Sequence, residues 1–413
     1  MIVGKANAMK ALLIICDGLG DEPDAKGRTP LAAARKPNMD RLAREAVTGL
    51  MHAIGVGVVP GSDTAHLSLF GYDPMCYYSG RGVFEALGVG MRLEKGDVAF
   101  RCNFATVDKQ FVVRDRRAGR IRDEGKELAK EIDGMTINGV KCLFRPSVEH
   151  RGALVLRGKG LSFKVSDADP HKEGEKVLRP KPLDDTEEAR RTADILYKFV
   201  NRSYELLRKH PINLRREKEK KPPANILLPR GAGVYEKPPQ IGELYGLRAA
   251  CVAGGALYKG VARFAGMDVI EVKGATGRTD TDVMAKARAA LDALRTHDFV
   301  FLHVKGTDSA SHDGNFEEKR KMIERIDGMV GELMRGAKDA YIVITGDHST
   351  SCKRRRHTAD PVPIAVWGSG VRRDGVKAFD EFSCASGGLG HIRGLDVMPI
   401  ILDLLDKAEK YGS

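Results

Sequence analysis

The first residue of this chain whose setting suggests chemistry is a serine in the turn Gly-Ser-Asp-Thr-Ala-His, inside Val58–Pro74 (VVPGSDTAHLSLFGYDP). The Ser62 hydroxyl is a weak nucleophile at its ordinary pKa and needs a neighbouring base, or a metal ion that stabilises the alkoxide. The second route predicts Asp and His residues elsewhere, each just past the end of a strand. The chain supplies six: Asp17 after ALLIIC, Asp308 and His312 after FVFLHVKGT, Asp347 and His348 after YIVITG, and His357 soon afterwards. Taken alone, Ser62 reads as a helix cap before an apolar run, and a lone strand-end Asp or His reads as structural. Six such residues at one predicted edge, joined by a serine turn, are not explained as caps. Asp308 and His312 are four apart, so a helical turn brings both to one face. Carboxylate and imidazole together suit Mn2+, Zn2+ or Co2+, whereas an all-oxygen set would suit Mg2+ or Ca2+. The ligands suffice for two ions.

These residues converge only on a suitable scaffold. In an open α/β sheet, groups just past the carboxyl ends of strands gather in one crevice whatever their separation in sequence. Lys10–Cys16 is a nearly continuous apolar run of strand length, suited to burial on both faces. Lys36–Ala46 reads as a helix with Met39, Leu42, Ala43 and Ala46 on one side and Pro37 near its start. From Leu247 the rhythm is LRAACVA, a helix near Leu257–Ala265, DVIEV, a helix at Asp282–Leu294, and FVFLHV; YIVITG, PIAVWG and a helix around Leu395–Ala408 follow. This is a doubly wound pattern with a mainly parallel sheet. The glycines of Gly80–Gly90 do not follow a strand within a βαβ unit, so they are not a dinucleotide fingerprint.

Between these halves the texture changes to short alternating runs (AFRCNFATV, FVVRD, VKCLFRP, ALVLRG), which implies antiparallel strands with one solvated face. Glu124–Ile132 and Asp184–Lys209 read as helices. The expected organisation is a first part of the main domain over 1–95, an inserted α+β domain over 96–237, and a second part over 238–413. Met1–Met9 is unpatterned and reads as a tail, with Met1 and Met9 both plausible starts.

Composition excludes some classes. The 413 residues include 42% hydrophobic ones, ample for a core. No apolar run approaches the about 20 residues of a membrane span, and no signal pattern opens the chain, so a cytoplasmic location is expected. The seven scattered cysteines form no CxxC pair and suggest neither a zinc ribbon nor a disulfide framework. A net charge of +12 fits either a nucleic-acid partner or a small anionic substrate. Arg215–Lys221 (RREKEKK) reads as a solvated linker or loop, and Lys353–Arg356 (KRRR), just before His357, as a loop that could border an anion site. Without aromatic interleaving, base stacking is not indicated.

Taken together, Asp17-Gly18 after the first strand, VPGSDTAHLSLFGYDP, GTDSASHDG, GDHST and RRRHTADPVP resemble the alkaline phosphatase superfamily, most closely the archaeal-type cofactor-independent phosphoglycerate mutases. The resemblance spans nearly the whole chain. It implies two divalent ions, usually manganese, with Co2+, Zn2+ or Mg2+ as alternatives. Asp17, Ser62, Asp347 and His348 would surround one ion, and Asp308, His312 and His357 the other. It further implies that Ser62 is phosphorylated in the reaction, that the inserted domain is a cap, and that phosphoglycerate is the substrate with no added bisphosphoglycerate. SDADPH nominates His171 for substrate binding, and LLPRGAG and ALYKG nominate Arg230 and Lys259; Arg101, Arg151 and Arg278 are candidates by charge alone. The larger cap and Arg-Asp motif of bacterial-type mutases have no counterpart here. Two alternatives stand beside this reading: a phosphatase or phosphopentomutase on the same ions, and a basic nucleic-acid-binding protein in which the Asp and His residues are structural. The sequence leaves the oligomeric state open.

Overall fold

A computed structural model describes residues 9–410 and 412; apart from Met9, the expected N-terminal tail lies outside the described residues. The chain divides into two compact units, Met1–Tyr77 with Pro239–Ser413, and Tyr78–Pro238.

The first unit is built on an eight-stranded sheet whose order is Asp268–Ile270, Ala249–Val252, Phe299–Val304, Lys10–Cys16, Ala340–Thr345, Val362–Trp367, Val47–His52 and Gly390–Arg393. All neighbours run parallel except Val362–Trp367, which is antiparallel to both of its partners. Lys10–Cys16 sits inside the sheet, and its residues from Ala11 to Cys16 are fully buried, which is why its sequence is apolar without alternation. One face packs Leu12, Ile14, Leu302 and Ile344 against Met39 and Leu42 of helix Pro37–Arg44, Ala287 of Val283–Ala293, and Ile323, Ile326 and Val330 of Phe316–Gly336. The parallel registers set Ile15 beside Thr345 and Cys16 beside Val304. Three strands therefore end at one level, and Asp17, Lys305 and Gly346 leave the sheet side by side.

Buried polar bonds fix the loops at that level. Lys319, wholly buried on helix Phe316–Gly336, gives its ammonium to the carbonyls of Gly20 (2.9 Å) and Thr350 (3.0 Å) and to Asp21 Oδ2 (3.0 Å), so no donor is left unsatisfied. Gly18 has φ +61°, and a Cβ there would stand 2.6 Å from Thr350 Oγ1, so only glycine lets the chain turn so closely past Asp17.

The second unit is an antiparallel sheet centred on Val98–Val107, flanked by Arg151–Arg157 and Ile226–Val234, with Val140–Pro146 and Met135–Ile137 beyond. Helix Glu187–Leu207 covers it through Ala193, Leu196, Phe199 and Val200, and starts where Thr186 caps the Ala189 amide. The unit begins at Tyr78, earlier than the expected residue 96, because helix Arg81–Gly88 belongs to it: a Cβ on Gly82 would lie 2.1 Å from the Ala99 carbonyl oxygen of the central strand. Gly80–Gly90 is thus a close packing site between helix and sheet.

One reading is corrected. The basic run from Arg215 is not a solvated linker throughout; its first half lies in helix Pro211–Lys218, and Arg216 is buried, bonded to Glu124 (2.5 Å) and to the carbonyls of Pro222 and Ala118 (3.0 Å each). A guanidinium with that many planar donors can be buried when each finds an acceptor.

His150 is buried in the second unit, and burial, reinforced by Arg151, Arg117 and Arg101, pushes its imidazole down to about 3. A depressed folded pKa gives stability that is complete above the unfolded value near 6.5 and declines as pH falls towards 3. Urea unfolding between pH 6.5 and 4 should therefore show the wild type losing up to about 1.4 kcal/mol per pH unit more than His150→Gln. Equal slopes would show that His150 is protonated in the folded protein.

Candidate active site

Ser62 is the first residue of helix Ser62–Leu69 and not its cap: Gly61 holds the cap position, and no side chain caps the helix. The hydroxyl is thereby released from capping and faces His348 Nε2 at 3.2 Å. Its place at a helix start sets backbone N–H dipoles near any negative charge that develops on its oxygen. Asp347 Oδ2 lies 3.2 Å and Asp17 Oδ1 3.4 Å from the same nitrogen, and all four side chains are buried. Gly18 N donates to Asp347 Oδ1 at 3.0 Å. Asp17 Oδ2 is held by Tyr258 Oη, by His303 Nε2 (3.2 Å) and by Lys305 Nζ (3.3 Å). Against the opposing effect of burial, Lys305 and His303 keep the Asp17 carboxyl well below the usual range. Burial also opposes a charge on His348, yet Asp347, Asp17 and Asp308 push its imidazole up to about 9. The spot attracts positive charge strongly.

The second group adjoins the first through a ring stack, the imidazoles of His348 and His357 lying 3.6 Å apart between centroids. Asp308 Oδ1 faces His312 Nε2 at 3.3 Å and His357 Nε2 at 3.6 Å, and accepts from Thr350 Oγ1 at 2.9 Å. Helix Gly306–His312 carries Asp308 and His312 one turn apart, and the hairpin Ser349–Ser351 with Arg356–Thr358 brings His357 to them. The KRRR run is the tip of that hairpin. A cavity of ≈ 690 Å³ opens beside His312 and His357, lined also by Arg354, Arg356 and Glu22.

Whether these residues fit metal ions can be read from their hydrogen bonds. His312 Nδ1 meets the Arg355 carbonyl at 3.0 Å and His357 Nδ1 the Pro60 carbonyl at 2.8 Å; a carbonyl only accepts, so Nδ1 carries the proton and Nε2 is left as the lone-pair nitrogen. Thr350 donates to Asp308 and so accepts from His348 Nδ1 at 3.0 Å, which leaves Nε2 as the nitrogen that takes the site's positive charge, a proton or an ion. All three Nδ1 atoms are held by protein acceptors, the outer-shell pattern of metal-bound histidines, and all three Nε2 atoms turn towards carboxylates. Asp17 Oδ1 and Asp347 Oδ2 are buried without a hydrogen-bond donor. Asp17, Asp347 and His348 form one group, and Asp308, His312 and His357 another, whose ligand atoms lie within 4.8 Å of one another. Unpaired buried carboxylate oxygens beside lone-pair nitrogens fit divalent transition ions.

The remaining candidates separate. In the second unit Arg101 and Arg230 are cross-strand partners, and Arg230 Nη1 is 3.4 Å from His171 Nδ1. His171 Nε2 meets Asp167 Oδ2 at 2.9 Å. The Nε atoms of Arg101 and Arg230 are buried without a hydrogen-bond partner. Burial, only partly offset by Glu85 and reinforced by Arg81, Arg230 and Arg151, lowers Arg101 to about 9. That is an arrangement short of negative charge. In the first unit Lys259 pairs with Glu271 at 2.6 Å and Arg278 with Asp280 at 3.3 Å, so each already has a carboxylate.

Sequence reasoning missed several participants. Tyr258, His303 and Lys305 all bond Asp17, Thr350 joins the two groups, and His66 Nδ1 bonds the Ser62 carbonyl at 2.6 Å. Arg116, which grips Asp169 through two bonds of 3.0 and 2.6 Å, was also missed. All but Arg116 lie within stretches quoted above: His66 in VPGSDTAHLSLFGYDP, Tyr258 in ALYKG, His303 and Lys305 in FVFLHVKGT, and Thr350 in GDHST. Nothing in the local pattern marks their partners.

Comparison with known proteins places this geometry in a family. Residues 43–213 match the 2,3-bisphosphoglycerate-independent phosphoglycerate mutase family, and residues 201–362 match the type I phosphodiesterase / nucleotide pyrophosphatase family. A 2,3-bisphosphoglycerate-independent phosphoglycerate mutase of Methanocaldococcus jannaschii is 54% identical over 407 residues, covering 98% of this chain and 99% of that protein. One of Methanothermobacter thermautotrophicus is 50% identical over 411 residues, covering 98% and 100%. Among solved structures, a Pyrococcus horikoshii protein superposes with a TM-score of 0.86 at 42% identity, covering 98% of this chain and 100% of that one. A cofactor-independent phosphoglycerate mutase of Thermoplasma acidophilum does so at 0.72 and 39%, covering 96% and 100%. Covered almost from end to end by such relatives, the chain belongs to the 2,3-bisphosphoglycerate-independent phosphoglycerate mutases of the alkaline phosphatase superfamily.

Proposed function

We propose that this chain interconverts 3-phosphoglycerate and 2-phosphoglycerate through a phosphorylated Ser62, with Asp17, Ser62, Asp347 and His348 holding one divalent ion and Asp308, His312 and His357 a second, manganese being the first choice. The observation that carries the reading is the shared orientation of three imidazoles, each with Nδ1 on a hydrogen-bond acceptor and Nε2 turned to a buried carboxylate, beside two carboxylate oxygens, Asp17 Oδ1 and Asp347 Oδ2, that lack donors. When bound, the ions neutralise the phosphate and stabilise the Ser62 alkoxide.

The rest is the work of the protein. Ser62 gives up its hydroxyl proton and its Oγ attacks phosphorus in line, the phosphorus–oxygen bond to glycerate breaks, and the glycerate oxygen takes up a proton in exchange. The glycerate turns within the site, and its other hydroxyl attacks the phosphoserine in the reverse sense. Arg101, Arg230 and His171 form an anion-binding set within the inserted unit, and we assign phosphoglycerate binding to it. Lys259 and Arg278 of the first unit, paired with Glu271 and Asp280, remain candidates for the same substrate. A cytoplasmic location suits a substrate that is anionic at both its phosphate and its carboxylate, and seven unpaired cysteines; no helix among the described residues is long and apolar enough to cross a membrane.

The deciding assay is purified protein with 3-phosphoglycerate and Mn2+ and no bisphosphoglycerate, followed by the appearance of 2-phosphoglycerate. A chelator should abolish turnover and added Mn2+ or Co2+ restore it; full activity after metal removal would overturn the metal reading. Elemental analysis of Asp308→Ala and His312→Ala should show each losing one of the two ions, since both serve the same group. Arg101→Ala and Arg230→Ala should each raise KM or lower kcat/KM by about tenfold or more, as expected for a charge-assisted hydrogen bond of about 1.5–3 kcal/mol, with metal content unchanged. Wild-type kinetics in both would remove these residues from the substrate site.

A further inference from the structure

Each of the two metal-binding groups contains a carboxylate with one oxygen turned inward and one turned away. Asp308 Oδ1 faces His312 and His357, while Asp308 Oδ2 is held by Lys305 Nζ at 2.7 Å. Asp17 Oδ1 faces His348 and has no donor, while Asp17 Oδ2 accepts from Lys305 Nζ at 3.3 Å, from His303 and from Tyr258. The same ammonium therefore takes the outward oxygen of one acid in each group. Lys305 directly follows strand Phe299–Val304, next to Lys10–Cys16 in the sheet, and its ammonium lies 5.5 Å from the Tyr258 ring centroid.

From this geometry we infer that Lys305 is a positioning residue shared by the two groups, which holds Asp17 and Asp308 each to one inward oxygen and so couples the two ion sites. The inference rests on the assignment of the two groups to metal ions. A free carboxylate beside a divalent ion can offer one oxygen or both, and the choice changes the coordination number and the ligand's direction. A donor on the outer oxygen settles it. The two groups depend on Lys305 unequally: Asp17 Oδ2 keeps Tyr258 and His303 if the lysine is lost, whereas Lys305 is the partner that holds Asp308 Oδ2. Two electrostatic effects oppose each other. Removing a cation near two dications favours ion binding by charge alone, but it also frees Asp308 to rotate in a buried setting. Outer-shell partners of metal ligands typically govern affinity by about 10–100-fold, so the loss of orientation is expected to win.

The test is metal titration of the purified full-length protein, stripped and then loaded with Mn2+ or Co2+, with the visible absorption of bound Co2+ as a second readout that does not involve turnover. Lys305→Met should weaken the ion held by Asp308, His312 and His357 by about 10–100-fold and the other ion by a smaller factor. It should also lower Co2+ absorption intensity, as a second carboxylate oxygen joins the coordination sphere. Lys305→Arg, which keeps donors and charge, should recover part of both. Tyr258→Phe should weaken only the ion held by Asp17, Asp347 and His348. If Lys305→Met does not fold, Lys305→Gln, too short to reach both acids, takes its place with the same expectations. Unchanged or tighter binding in the Met or Gln variant, an unaltered Co2+ spectrum, or an Arg variant no better than Met would overturn the role of Lys305. A wild-type protein that takes up no ion would instead overturn the metal assignment beneath it.

Discussion

Three carboxylates, Asp17, Asp308 and Asp347, are buried together, and their mutual repulsion in a poorly solvated setting is the constraint from which the rest of the first unit follows. Such a cluster is stable only where positive charge or donors meet it. The protein itself supplies Lys305 and a set of imidazoles, yet leaves Asp17 Oδ1 and Asp347 Oδ2 without donors. That residual deficit draws a cation, and it explains why His348 is pushed up to about 9 although it is buried. A phosphoryl-transfer site needs this property, because the entering phosphate brings further negative charge that the carboxylates alone would repel.

Holding the acids there is the task of the sheet. Central parallel strands in register deliver Asp17 and the loops that lead to Asp308 and Asp347 to one level, and a fully buried Lys319 ties two of those loops together. Because parallel strands are covered on both faces, their sequences carry no polar alternation, and the polar work is displaced entirely to the strand ends.

The inserted unit poses the inverse problem. Arg81, Arg101, Arg151 and Arg230 crowd one region, with Glu85, Asp167 and Asp169 as partial compensation. Burial and like charge depress Arg101 to about 9, so the cluster is short of negative charge by itself. The depressed His150 belongs to the same surroundings, kept neutral by burial and by Arg151, Arg117 and Arg101. An anion bound there would relieve this deficit of negative charge.

Much of the site was legible in the sequence, because a strand-length apolar run ended by Asp or His marks a strand end, and in an α/β sheet strand ends converge by topology alone. Asp17, Asp308, His312, Asp347, His348 and His357 were found in this way and Ser62 from its turn, and the structure brings all seven together. The period-two runs likewise announced an antiparallel insertion. What the sequence did not contain were facts of distance. The reversed direction of Val362–Trp367, the packing of Gly82 against Ala99, and the burial of Arg216 inside a charged run depend on which segments meet, and local pattern carries no record of that. Lys305, Tyr258 and His303 gain their meaning from Asp17, about 240 to 290 positions away, where three-dimensional closeness alone distinguishes a positioning side chain from an ordinary core or surface residue. Residue type and strand-end placement follow from local sequence because they obey short-range periodicity; partner, protonation and orientation are settled by tertiary contacts, because only those decide which charges share one dry site.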